Sequence, residues 1–399
     1  ASVREKGQVE RLLWTVGATG TLMALLGLLE WLRWMPALPV TADGRIGSAI
    51  GHPVFLGAYL VLTLPLTTTA LLLRWARGAG GHYLWVRAGL LLSLPLQSLA
   101  LVLTAARGPW LGFAVMGGTL VLLLGVSGGH RRLLRGAALA GAVLAVLSVS
   151  VAVPGSPLPS LTDLPYVSRA ASALDLSSGS VKSRLLIWKA TLRLVWERPM
   201  VGGAEGARAP LRHLVGYGPE TFLFAFRMVR PREVAYLEGP RIDVDRAHNL
   251  ALDTLAATGL LGLGSLLFLL ARAYFHGLHA LGRAHDPRHR LLLSGLLAAL
   301  SGHLAEQAFG IAHVADQMMF WTVLALLVTV VGFARRNQPS RLGAGSQSRL
   351  GKERRRTEGL GGPGSPSAVH LGTWRERDDG DGRRGSRPRV APGGRAELG

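Results

Sequence analysis

The chain has 399 residues, of which 49% are hydrophobic, and its 44 Lys and Arg against 24 Asp and Glu give a formal net charge of +20. It contains no cysteine, which excludes disulfide and thiolate chemistry. The charge does not indicate nucleic-acid binding, because much of it lies in the C-terminal tail and in short loops beside apolar segments, where anionic lipid headgroups are the nearer partner.

Eight apolar blocks, each about 18 to 27 residues long, are long enough to cross a bilayer. They cover residues 12–32, 51–73, 83–105, 109–126, 132–153, 249–275, 290–312 and 317–334. Isolated strands cannot satisfy their backbone hydrogen bonds in lipid, so the blocks predict helices. We therefore predict an all-α integral membrane protein with about eight transmembrane helices and one large external loop between spans five and six.

Basic residues alternate between the short loops, which predicts the orientation in the membrane. The loops before span one, between spans two and three, four and five, and six and seven, and after span eight are rich in Arg and Lys, whereas the others are poor in charge. The positive-inside rule then places both ends in the cytoplasm. The predicted organisation is five spans in 1–153, an extracytoplasmic loop with short helices in 154–248, three spans in 249–334, and a disordered basic cytoplasmic tail in 335–399.

Arg107 lies in the short turn between the third and fourth predicted spans, on the side of the large loop. The turn is only a few residues long, so we expect its guanidinium at the membrane surface. Two roles remain open. One is an arginine that extends to lipid headgroups, and the other is a phosphate ligand, for which the guanidinium fork is well suited.

Residues 181–197 of the large loop are predicted to form a helix that ends before Pro199. At helical spacing, one stripe is polar and is expected to face solvent: Lys182, Lys189, Arg193 and Glu197. Arg184 falls on the other, apolar side beside Trp188. Because burying a bare cation is costly, Arg184 is expected to need an anion or a carbonyl partner.

His248 lies where the hydrophilic loop gives way to the sixth apolar block. Imidazole is the side chain best suited to accept a proton near neutral pH, and the positive end of a helix dipole disfavours its protonated form. A purely structural role at the helix start is the alternative, with Asn249 or Asp245 as the cap.

Span seven contains the ionisable residues His303 and Glu306, with Gln307 beside them. Ionisable groups within the membrane often mark function. We favour a buried structural pair of His303 and Glu306, since a metal site lacks an obvious third ligand.

Five short segments occur in a fixed order around the large loop. They are the arginine turn at 103–108, Arg184 to Trp188 with a Pro-x-x-Gly turn at 199–202, the segment Gly216-Tyr217-Gly218-Pro219-Glu220, the segment Asp245-Arg246-Ala247-His248-Asn249, and residues 257–262. In these features, from Gly51 to Trp321, the chain resembles the O-antigen ligase family of membrane glycosyltransferases. The wider superfamily also holds O-antigen polymerases and bacterial protein O-oligosaccharyltransferases.

The resemblance implies a donor glycan carried on a polyprenyl diphosphate, an acceptor hydroxyl on a lipid, glycan or protein, and no metal or other cofactor. It implies that Arg107 and Arg184 bind the donor diphosphate and that His248 assists the acceptor. The implied supporting residues are Asn249, Arg246, Tyr217 and Glu220. It also implies a multi-pass protein of the bacterial inner membrane, in contact with membrane lipids and not with nucleic acid, with its site on the extracytoplasmic side and a role in lipopolysaccharide or other surface polysaccharide assembly.

The sequence departs from the family pattern in two ways. Family members usually have more spans ahead of the first one here, so N-terminal helices are expected to be missing, and alanines precede Arg107 where the family often has a serine. Ligase, polymerase and protein glycosylation remain open. A lipid-linked glycan transporter and a non-catalytic assembly protein are alternatives of other classes.

Overall fold

The computed structural model describes residues 5–35, 37, 44–75, 84–128, 136, 179–197, 199, 211–239 and 242–336. These residues form α-helices and one short 3-10 helix, and none of them forms a strand. The predicted all-α membrane class is confirmed. The tail 335–399, except Arg335 and Arg336, and the predicted fifth span, except Gly136, lie outside the described residues.

The long helices of the bundle are α1 (Lys6–Trp31), α2 (Pro53–Trp75), α3 (Leu84–Leu103), α4 (Arg107–Gly128), α9 (Leu250–Arg283), α10 (Pro287–Gln307) and α11 (Val314–Arg336). The 3-10 helix, Ser48–Ile50, precedes α2. The segment between α4 and α9 contributes α5 (Gly179–Glu197), α6 (Arg212–Val215), α7 (Phe222–Phe226) and α8 (Arg232–Glu238). Short helices therefore occur in the predicted external loop, and its side of the membrane stays a prediction.

Seven of the eight predicted spans correspond to these long helices, and six of the seven are long and apolar enough to cross a membrane. The exception is α10, which carries His303, Glu306 and Gln307. It lies in the centre of the bundle, packed against α2, α4, α9 and α11. Because neighbouring helices shield it from lipid, α10 tolerates polar residues that a lipid-facing helix could not.

The last residues of two helices, α9 and α10, lie several residues away from the ends of their predicted spans. The α9 helix continues to Arg283 rather than ending at 275, because its last turns contain good helix formers and need not remain within lipid. The α10 helix ends at Gln307 rather than at 312. Its end is fixed by Gln307, whose amide donates to Asp316 of the next helix at 3.0 Å.

Glycines allow α4 and α10 to approach closely. A Cβ added at Gly112 would lie 2.7 Å from the carbonyl oxygen of Gly302 and 2.9 Å from the Cβ of Glu306. Small residues are the usual means of close packing between membrane helices. This contact brings the first turns of α4, which starts at Arg107, against the buried end of α10.

Hydrogen bonds from side chains to backbone carbonyls link the helices at both ends of the bundle. At one end, Arg87 donates to the carbonyl of Arg74, and Arg290 donates to the carbonyl of Ser127. At the other end, Asn249 donates to the carbonyl of Ala308. The first of these ends is the one predicted to be cytoplasmic, and the end with Asn249 is predicted to be external. The side of the membrane that each end faces stays a prediction.

The helices between α4 and α9 share a small apolar core with the start of α9. Its buried members include Ile187 and Leu194 of α5, Phe226 of α7, and Ala256 of α9. Ala247, the residue before His248, is fully buried in the same core. Burial of apolar side chains thus fixes α5 relative to His248.

The α9 helix is broken at Gly259, which has a φ of 65° and a non-helical ψ. The break frees the carbonyls of Ala256 and Ala257, and these accept the backbone N–H groups of Tyr217 (2.8 Å) and Gly218 (2.9 Å). Gly216 fits directly against the break, since a Cβ on it would lie 2.6 Å from the nitrogen of Gly259. The segment after α6 thereby satisfies backbone groups that lipid could not.

A methyl group at Gly259 should therefore destabilise the protein strongly. Gly259→Ala would force a side chain into left-handed backbone and against the chain of α6, so we expect the free energy of unfolding to fall by at least about 1–3 kcal/mol. The matched control is Gly264→Ala in the same helix, where an added Cβ meets nothing within 4 Å. Thermal unfolding midpoints in detergent measure both, and equal midpoints would contradict this role of the break.

Candidate functional site

His248 is held in left-handed backbone, with a φ of 55°, directly before α9. The preceding residue, Ala247, is fixed on both sides. Its N–H donates to the carboxylate of Asp253 at 2.6 Å, and its carbonyl accepts the indole N–H of Trp188 at 3.0 Å. A non-glycine residue keeps this conformation only where its surroundings enforce it, and such residues are frequent at functional sites.

The following residue, Asn249, fixes the other side of His248. Its side-chain oxygen accepts the N–H of Leu252 at 3.1 Å and so caps α9, while its amide donates to the carbonyl of Ala308 at 3.0 Å. Of the two predicted caps, Asn249 is the one that forms. Asn249 also ties the start of α9 to the end of α10, so the position of His248 is coupled to the bundle.

The surroundings of His248 favour its neutral form. Burial lowers the pKa of the imidazole below its ordinary value, and the positive charge of Arg184 lowers it further. The negative charges of Glu238 and Asp245 act in the opposite direction and are outweighed. A neutral imidazole is the form that can accept a proton.

Arg184 lies on the inner side of α5, half-buried, as the sequence predicts. The four residues of the predicted polar stripe are all exposed: Lys182, Lys189, Arg193 and Glu197. Burial lowers the pKa of Arg184, and the charge of Arg107 lowers it further, while Glu238 and Glu306 raise it. Arg184 thus lies within electrostatic range of both Arg107 and His248, the other two residues that the sequence predicts for the site.

Arg107 is the first residue of α4 and is half-buried. The turn before it is constrained, because Ala105 has a φ of 47° and the carbonyl of Thr104 accepts the side chain of Arg45 at 2.8 Å. The loop of Arg45 is itself held by the buried carboxylate of Glu30, which accepts the N–H of Ser48 at 2.6 Å. These contacts fix the turn that carries Arg107. An arginine that only extended to lipid headgroups would not need a fixed turn.

The prediction that His303 pairs with Glu306 is wrong. Glu306 accepts the amide of Gln307 at 2.9 Å, and the same amide donates to Asp316 at 3.0 Å. The His303 ring is stacked on Phe320, and neither ring nitrogen has a hydrogen-bond partner among the described residues. Gln307 joins Glu306 to Asp316 of the neighbouring helix α11, and His303 does not take part.

Glu306 lies close to the arginine turn. A Cβ added at Gly108 would lie 3.6 Å from its Oε1 atom, so the carboxyl group touches the first turn of α4. It is fully buried. The groups that could ligate a metal form no cluster of three among the described residues.

The predicted supporting residues hold the scaffold around this site. Arg246 donates two hydrogen bonds to Glu220, at 2.6 and 2.8 Å, and this contact raises the pKa of Arg246. The hydroxyl of Tyr217 lies 3.3 Å from the carbonyls of both Leu194 and Pro199, while its backbone pairs with broken α9. These contacts join α5 and the 216–220 segment to the chain that leads to His248.

Glu238 is the residue of this site that the sequence did not predict. It ends α8, accepts a hydrogen bond from Ser183 of α5, and acts electrostatically on both Arg184 and His248. Ser183 is the residue before Arg184 and is buried. An acidic residue in a hydrophilic loop carries no local signal, and only the packing of α8 on α5 reveals it.

The fold and this cluster define a polytopic helical membrane protein with two arginines and a histidine of lowered pKa near one end of its bundle. The family model described as O-antigen ligase matches residues 88–267, which include Arg107, Arg184 and His248. The match confirms the predicted resemblance of this segment to the O-antigen ligase family. No curated protein matches the chain.

Proposed function

We propose that the protein transfers a glycan from a polyprenyl diphosphate to an acceptor hydroxyl at a site formed by Arg107, Arg184 and His248. The observation that carries this proposal is the shared electrostatic environment of the three side chains, in which Arg184 acts on His248 and Arg107 acts on Arg184. Two adjacent cations suit a diphosphate, and a neutral imidazole suits a hydroxyl that must lose a proton.

The proposed reaction is a single displacement. The acceptor oxygen forms a bond to the anomeric carbon, the bond from that carbon to the diphosphate oxygen breaks, and the diphosphate leaves with its electron pair. His248 takes the proton of the hydroxyl, and the arginines stabilise the negative charge that grows on the leaving group. A single displacement inverts the configuration at the anomeric carbon. Since the diphosphate ester is already activated, the step needs no nucleotide.

The surroundings of Arg184 support a phosphate role for its guanidinium. Its guanidinium makes no hydrogen bond to any described residue, and Glu238 and Glu306 are the acids whose charges act on it. A half-buried guanidinium that lacks a hydrogen-bonded partner is costly. A bound diphosphate would supply that partner.

The proposed reaction is the same whether the acceptor is a lipid, a growing glycan or a protein. It therefore applies equally to a ligase, a polymerase and a protein glycosyltransferase. We place the protein in the bacterial inner membrane with the site on the extracytoplasmic side, in the assembly of a lipopolysaccharide or another surface polysaccharide. The break at Gly259 does not favour a transporter. The carbonyls that it frees at Ala256 and Ala257 are already bonded to backbone N–H groups and offer no open ion site.

The pH dependence of transfer tests the role of the imidazole. If neutral His248 is the base, the acid limb of the kcat/KM profile should lie below the ordinary histidine pKa of about 6.5, because burial and Arg184 lower the pKa of this group. Glu238→Gln removes a negative charge that raises this pKa. The acid limb should therefore shift to still lower pH in that variant.

The matched control for this profile is Glu233→Gln, an exposed acid on the same helix α8. It should leave the acid limb where it is in the parent protein. An unchanged or higher limb in Glu238→Gln would contradict the assignment of that limb to His248.

The orientation in the membrane can be tested separately, because the chain has no cysteine of its own. Single cysteines at exposed Lys182 of α5 and at exposed His285, between α9 and α10, should react with an impermeant maleimide from opposite sides. Lys182 should react from outside intact cells. Reaction of both positions from the same side would contradict the proposed topology.

A further inference from the structure

An exposed apolar surface joins the end of α5 to α6. It consists of Leu192, Trp196, Leu211, Leu214 and Val215, and we refer to it as the α5–α6 surface. Trp196 is 81% exposed, and Leu192 and Val215 are each 54% exposed. Soluble proteins rarely leave large apolar side chains exposed in one group, and such a patch indicates a partner or a membrane.

The α5–α6 surface is continuous with the lipid-facing side of α9. The chain after α6 packs against the break in that helix, where a Cβ added at Gly216 would lie 2.6 Å from the nitrogen of Gly259. The two residues of α9 that follow the break, Leu260 and Leu261, are themselves 54% and 59% exposed. The α5–α6 surface therefore adjoins exposed apolar positions of a candidate membrane-spanning helix. Lipid is the medium that surrounds such positions.

The position of the contact along α9 places α6 at membrane depth. Gly259 is the tenth residue of a helix that begins at Leu250, and at about 1.5 Å per residue it lies roughly 14 Å along the axis. Asp253, which accepts the N–H of Ala247, is the one ionisable residue of α9 before Arg272. The chain of α6 is therefore beside the apolar half of a candidate membrane span, below the level of His248.

Basic side chains border the surface in the manner of an interfacial helix. Lys189 lies one turn before Leu192, Arg193 lies one turn before Trp196, and both basic residues are exposed. Tryptophan favours the boundary between hydrocarbon and headgroups, and lysine or arginine beside an apolar stripe reaches the lipid phosphates.

We propose that the α5–α6 surface is immersed in the membrane leaflet on the side of His248, with phospholipid as its partner. The α5 helix then lies in the interface and is not an element of a water-exposed domain. One consequence rests on the proposed function. Arg184, on the other side of α5, is held at the depth of lipid phosphates, where the diphosphate of a polyprenyl-linked donor also lies.

Site-directed spin labelling of the full chain tests the immersion without any assay of activity. Single cysteines at Trp196 and Val215 would carry the label, with Leu261 as a lipid-facing reference and Glu197, on the polar stripe of α5, as the matched control. The protein is reconstituted in vesicles of phosphatidylethanolamine and phosphatidylglycerol. Collision rates are measured with oxygen, which concentrates in lipid, and with a water-soluble nickel chelate.

The labels at Trp196 and Val215 should collide more with oxygen than with nickel, as at Leu261, whereas the label at Glu197 should show the reverse preference. A nickel preference at Trp196 and Val215 would overturn the proposal in favour of a water-exposed surface. Low collision rates with both reagents would also overturn it, because a protein segment would then cover the surface. Loss of transfer in any variant, with collision rates as expected, would bear on the proposed function and not on the immersion.

Discussion

We expect His248→Ala to lose glycan transfer by about 10²- to 10⁴-fold, the usual effect of removing a positioned general base. The variant should still bind the polyprenyl diphosphate, because the arginines that we assign to the donor are unchanged. The protein should also fold, since Ala247 and Asn249, which fix the start of α9, make their hydrogen bonds through groups outside the His248 side chain. Transfer and donor binding are measured on the same purified preparation.

The matched control is His213→Ala, a half-buried histidine of α6 that has no assigned role in the reaction. It should keep both donor binding and transfer near the parent level. Parent-level transfer in His248→Ala would remove the base from the mechanism. A parallel loss of donor binding would indicate instead a histidine that holds substrate or structure.

The second large effect is expected from Arg184→Lys and Arg107→Lys. Lysine keeps the positive charge and loses the two-pronged guanidinium contact, so each variant should bind the donor about 10- to 100-fold more weakly, the value of a lost charged hydrogen bond. Transfer at low donor concentration should fall at least as much. This pattern differs from that of His248→Ala, in which donor binding is preserved.

Arg193→Lys provides the control on α5, because Arg193 is exposed and pairs with Glu197 in the next turn. An exposed pair contributes little, so donor binding should not change. Full donor affinity in both Arg184→Lys and Arg107→Lys would contradict a diphosphate role and favour arginines that serve the membrane surface or the fold.

The sequence predicts the helices of the bundle well because a bilayer imposes a minimum length of apolar chain. A run of that length can be recognised from the sequence alone. The inward direction of Arg184 was predictable for a similar reason, since helical spacing separates it from the polar stripe of α5. The closeness of Arg107, Arg184 and His248 was expected only as a shared side of the membrane. Their electrostatic contact depends on how α5 packs on the start of α9.

The features that sequence reasoning missed all arise from partners distant in the chain. Gly259 is one glycine among many in apolar segments, and its break depends on Gly216, which fits against it. Glu238 is positioned by the hydrogen bond that it accepts from the hydroxyl of Ser183. The pairing of Glu306 was predicted wrongly because spacing within α10 indicates His303, whereas the acid that meets it, through Gln307, comes from α11.

The most direct test of the central claim is transfer by the purified protein in detergent, supplied with a glycan diphospho-polyprenol and a hydroxyl acceptor, without nucleotide and with a chelator present. Mass spectrometry of the acceptor and release of free polyprenyl diphosphate are followed together. We predict that both products appear in equal amounts and that both fail to appear with His248→Ala. Donor that is bound but never cleaved, with each candidate acceptor (lipid A core, glycan and protein) supplied in turn, would contradict a glycosyltransferase.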